Sequence, residues 1–162
     1  MSEDLGHYSY RGARAMILLH ERHLRTFVAT WREAKAANVR LPETTDSDYA
    51  SLETLLRHNL AAARGYMTWM CEKLELPDPK IADAPMVEDI EHGVEAYLEH
   101  LFERWRLPLA GVPEDDFGVT YRSRWGVDYC IDGMLEHAVM HPIRHEFQLR
   151  NLIAEQLHDK TL

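Results

Sequence analysis

Apolar residues recur at intervals of three and four along most of this chain, which is the period of helices that bury one face. Between Tyr10 and Ala37 the apolar positions are Ile17, Leu24, Phe27, Val28, Trp31 and Ala34. They predict one long helix, stopped by Asn38 and the Leu41-Pro42 pair. Leu52, Leu55, Leu56, Ala62, Ala63, Tyr66, Trp69 and Met70 mark a second helix from about Asp48 to Leu74. Asp46 or Ser47 is its expected cap, since a short side-chain oxygen can accept from the free N–H groups of a first turn. Val87, Ile90, Val94, Tyr97, Leu98, Leu101 and Trp105 mark a third helix up to Arg106, where Pro108 follows. A fourth runs from about Asp132 to His158, with Leu135, Ala138, Leu149 and Leu152 turned inward.

Two long connections separate these helices. Residues 75–86 hold three prolines and are long enough to cross a bundle. The other, from Leu109 to Asp132, is rich in Gly, Pro and aromatic residues. Within it Val119 to Trp125 alternates like a short extended strand that Gly126 breaks, yet no convincing sheet emerges. The expected fold is therefore all-α: a four-helix bundle forming a single domain over residues 1–162, with long connections between helices 2–3 and 3–4.

Histidine interrupts the stripes. His137, His141 and His145 follow one another at steps of four in the last helix. Such neighbours lie about 40° apart and roughly 6 Å along the axis, so two imidazoles can share one ion. Three cannot, because His137 and His145 are about 80° and roughly 12 Å apart. His141 and His145 occupy the inward stripe, where aliphatic residues belong, and His137 stands to one side. A mononuclear site then needs a third ligand from elsewhere. His58 supplies it, continuing the apolar line Leu55, His58, Ala62 of the second helix. Gln148 shares the face of His141 and His145 and can hold a ligand's outer nitrogen. Trp125 and Tyr129, just before the histidine helix, can wall a pocket at its N-terminal end. Pro142 should kink the helix near residues 138–141. In the first helix, His20 falls on the apolar stripe and His23 on its edge; His20-Glu21-Arg22-His23 reads as a solvated flank with one core histidine.

Composition narrows the function without naming it. The formal net charge is −9, and there is no Lys/Arg block, which argues against nucleic acid and anionic membranes as partners. No apolar run is long enough to span a bilayer, and the first ten residues lack a signal-peptide pattern. A cytoplasmic location is the expectation. Cys71 and Cys130 fit buried free thiols better than a disulfide. Three neutral imidazoles suit Zn²⁺, Ni²⁺, Co²⁺ or Fe²⁺ with one position left for water or substrate. No nucleophile–base pair and no phosphate-binding glycine loop is recognisable. The alternative is a metal-free helical bundle that serves as a binding or dimerisation module.

A histidine midway along the second helix, followed by H-x-x-x-H-x-x-x-H-x-x-Q on the last, resembles the DinB/YfiT-like superfamily of metalloenzymes. The last-helix pattern of that family matches His141, His145 and Gln148, and its second-helix histidine matches His58; Pro142 and Phe147 depart from it. The resemblance implies an up-down-down-up bundle, a homodimer, and one divalent ion on His58, His141 and His145. It also implies a small-molecule substrate, with a low-molecular-weight thiol activated by the metal in some relatives and no known activity in many. His137, Gln148, Trp125 and Tyr129 would line or support the site.

Overall fold

The computed structural model describes residues 5–159, so the ends of the expected 1–162 domain lie outside the described residues. Four long helices dominate: α1 (Arg11–Ala36), α2 (Leu52–Lys73), α3 (Ile90–Trp105) and α4 (Ile131–Asp159). The fold is all-α apart from one small antiparallel hairpin, β1 (Thr120–Arg122) with β2 (Asp128–Cys130). Among the described residues no helix is long and apolar enough to cross a membrane.

The helix ends follow from local chemistry. α1 stops where Asn38 takes the left-handed conformation (φ 54°). That turn lets the Asn38 and Val39 amides donate to the carbonyls of Lys35 and Ala34, so two otherwise orphaned acceptors are satisfied. α2 ends the same way, with Glu75 at φ 54° and the Leu76 amide on the Cys71 carbonyl. Its start corrects the expectation. Asp46 caps only a 3₁₀ turn over Ser47–Tyr49. Ser51 caps α2 itself, in a reciprocal box with Thr54. The T-T-D-S-D run contains several capping residues, and the 3₁₀ turn uses the first that fits.

Cross-helix pairs fix the helix directions. Arg25 and Arg32 of α1 pair with Glu99 and Glu95 of α3, so those two helices run opposite ways. Tyr10 meets Asp132 and Glu33 meets Arg150, so α1 and α4 run the same way. His58 faces His141 while Tyr66 faces His137, so α2 opposes α4. α1 packs most extensively on α4. The core between the helices holds Phe27, Trp31, Leu56, Met67, Leu98 and Trp105, all nearly or fully buried. The connector 75–86 is laced into place: Arg64 donates to the Ile81 carbonyl, and Tyr97 to that of Ala82.

Two expectations change here. The lone strand foreseen over Val119 to Trp125 is one arm of the hairpin, and its partner Asp128–Cys130 escaped notice because three residues running straight into α4 show no alternation of their own. Glu21 is not solvated. It is buried against Arg106 of the α3 end, which grips it with contacts of 2.7, 2.9 and 3.1 Å. α4 is one helix of 29 residues with Pro142 inside it. The helix continues through Pro142, which is buried.

Candidate metal centre

α2 and α4 cross where each presents histidine to the other. His58 lies on the second turn of α2, half-buried, while His141 and His145 occupy the middle of α4 and are buried. One nitrogen from each of the three lies within 4.8 Å of the others, so together they could hold a metal ion. The His58 and His141 Nε2 atoms are 3.1 Å apart. The rings meet at centroid distances of 4.8 Å (His141–His145) and 4.9 Å (His58–His141).

What surrounds the trio sets its chemistry. His58 Nδ1 lies 3.1 Å from Asp48 Oδ2, and His145 Nδ1 lies 2.8 Å from Gln148 Oε1. Each of those oxygens only accepts, so each Nδ1 carries the proton and donates it. The Nε2 atoms of His58 and His145 are left with bare lone pairs. His145 Nε2 is buried and has no hydrogen-bond partner, a costly arrangement for a polar atom unless something accepts its lone pair. Burial is the main cause that lowers the pKa of His141 to about 2 and of His145 to about 4, with neighbouring imidazoles adding to it. Both rings are neutral near pH 7, as metal ligation needs.

The other candidates separate cleanly. Gln148 stands where a positioning group would, on the outer nitrogen of His145. His137 lies outside the trio. Its ring sits among Tyr66 (5.3 Å), Tyr129 (5.5 Å) and Trp125 (5.7 Å), so these aromatic residues gather at His137 rather than at the trio itself. Trp125, at the hairpin tip, is 49% exposed. His20 is a core residue, 1% exposed and stacked on Trp105 at 3.8 Å.

Two participants were missed in the sequence. Asp48 was read only as the approximate start of the second helix. Tyr49, its neighbour, lays its ring 5.4 Å from His58 and 5.6 Å from His145. The available signal was a carboxylate in the loop just before a helix that carries a ligand histidine, too common to single out alone. Around the centre lie three depressions: about 720 Å³ beside Tyr49, His145 and Gln148, about 380 Å³ beside His137 and His141, and a third beside Asp48 and His58.

No protein-family model, curated protein or solved structure matches the chain. The functional reading therefore rests on the residues and their arrangement.

Proposed function

We propose that this protein is a divalent-metal-dependent enzyme of the DinB/YfiT-like kind, with a mononuclear site on His58, His141 and His145 that activates water or a small thiol for transfer or hydrolysis. The observation that carries the proposal is the pair of outer hydrogen bonds. Asp48 and Gln148 each hold a proton on Nδ1, leaving the Nε2 lone pairs of His58 and His145 for the centre. The same-direction pairing of α1 with α4, opposed to α2, accords with the bundle that the resemblance implies. A homodimer and a cytoplasmic location belong to the same proposal and come from the resemblance and the composition.

The donor set suits Zn²⁺, Ni²⁺, Co²⁺ or Fe²⁺. When bound, such an ion lowers the pKa of a coordinated water or thiol and polarises a carbonyl. The protein's own contribution is to hold His141 and His145 neutral, fix the tautomers of His58 and His145, and lay the Tyr49 ring beside His58 and His145. The clefts beside His145 and His141 admit a small molecule from solvent.

The second reading, a metal-free binding or dimerisation module, draws support from the 3.1 Å His58–His141 contact, which satisfies two rings without an ion if His141 donates to His58. It leaves His145 Nε2 buried with nothing to accept its lone pair, and that weighs against it. Metal analysis of protein purified without a polyhistidine tag decides between them. About one equivalent of metal is expected in the unmutated protein and far less in His145→Ala; a metal-free unmutated protein, after incubation with each of the four ions, sinks the proposal.

A further inference from the structure

Arg144 precedes His145 on α4 and lines both the 720 Å³ cleft and the 380 Å³ cleft. Among the described residues it is the only Lys or Arg on either wall. We propose that Arg144 binds the carboxylate of a small ligand, and that the ligand is a monoanionic acid with an apolar body lying in the larger cleft. The inference rests on the metal-centre reading for what the ligand meets at its other end.

Three observations support it. First, among the described residues no hydrogen bond or ion pair holds the Arg144 guanidinium, whereas Arg150, further along the same helix, is tied to Glu146 at 2.8 Å and to Glu33 at 3.7 Å. A guanidinium at the mouth of a site, with its planar fork of donors uncommitted, suits a bidentate carboxylate. Second, the larger cleft is walled by Leu41, Pro42, Leu55, Leu149 and Leu152. Its volume fits a small organic molecule, and its lining combines apolar surface with a few convergent polar groups. Third, those polar groups form a line. Arg144, Gln148 and Asn151 stand at i, i+4 and i+7 on one face of α4, and all three line the cleft. The Gln148 oxygen is taken by His145, so its amide N–H groups are what it has for a ligand.

The electrostatics agree. Burial is the larger cause of the lowered pKa values at His137, His141 and His145, and the Arg144 charge pushes the same way. At Tyr49 and Tyr66 burial raises the pKa and Arg144 opposes it. Its field therefore reaches all five of these rings. A doubly charged phosphate fits less well. A single guanidinium faces it, Glu43 lines the same cleft, and the chain as a whole carries −9.

Isothermal titration with 4-phenylbutyrate and with its uncharged amide tests this, on protein freed of metal and on protein carrying one equivalent of Zn²⁺. The acid should bind at least about tenfold more tightly than the amide, a charge-assisted pair's contribution. Arg144→Gln should erase that preference, while Arg150→Gln, on the same helix but outside the cleft, keeps it. Equal affinity for acid and amide in the unmutated protein overturns the proposal, as does an equal loss in both variants. Zinc stoichiometry measured on the same samples separates the two readings. Retained zinc without the acid preference defeats only the carboxylate site, and the acid preference without zinc defeats only the metal centre.

Discussion

His58 and His145 each owe their orientation to one oxygen. Removing that oxygen frees the ring to flip or change tautomer while the ligand itself stays in place. Asp48→Ala and Gln148→Ala are therefore expected to weaken zinc binding by about 10- to 100-fold, with the helical circular-dichroism signal unchanged. Competition with a chromogenic chelator measures this, and unchanged affinity in both variants means the tautomers are not held as described. The three clustered histidines were readable in the sequence because a histidine on an apolar stripe is an anomaly that period alone exposes. Their supports were not equally readable. Gln148 lies within the helical register of His145, so spacing points to it. Asp48 reaches His58 through a 3₁₀ turn that no period describes. Tyr49 arrives with it. Arg144 is exposed, and only the clefts on either side give it significance.

Between elements, the contact with most at stake is Glu21 of α1 against Arg106 at the end of α3. The Glu21 side chain is 7% exposed and that of Arg106 26%, so solvent screens the pair on one side only. Glu21→Gln should cost about 2 kcal/mol, less than the loss seen when a fully enclosed pair is broken. Urea denaturation checks it, and a change below about 0.5 kcal/mol, the range of ordinary surface substitutions, would show the pair to be ornamental. Pro142 points the other way. Inside a helix it removes one backbone donor and crowds the preceding turn, at roughly 3 kcal/mol relative to Ala. Its buried ring recovers part of that through packing. Pro142→Ala should raise stability by about 1 kcal/mol; a fall in the melting temperature would mean the ring's packing is worth more than the missing bond. Each of the four helices was legible from its apolar period. What was not legible came from tertiary choice: the burial of Glu21 beside a distant arginine, and a hairpin whose strands are three residues each.

For the molecule as a whole, acid is the natural stress. His20 is buried against Trp105, and burial, with a smaller push from His23, lowers its pKa to about 3. The unfolded chain takes up that proton near 6.5, while the folded chain refuses it until about 3. The stabilisation from a neutral His20 is thus complete above about pH 6.5 and drains away as pH falls from there towards 3. His20→Phe keeps a stacked ring without the proton and should shift the acid-unfolding midpoint downward, followed by far-ultraviolet circular dichroism. An unmoved midpoint would show that other groups govern acid unfolding. His141 and His145, with pKa values lowered to about 2 and about 4, add to the same slope in the metal-free protein. A bound ion that competes with their protons steepens the response further, because it leaves as they protonate.

The hairpin tip carries a practical consequence of its own. Trp31, Trp69 and Trp105 are at most 2% exposed, whereas Trp125 is half in solvent and packs against His137. Three indoles therefore emit from a dry interior and one from water, so the long-wavelength side of the emission is weighted towards Trp125. A protonated imidazole quenches a neighbouring indole and a neutral one does so weakly. The fluorescence of this single residue is a built-in optical gauge of the entrance beside the histidines, readable without any label.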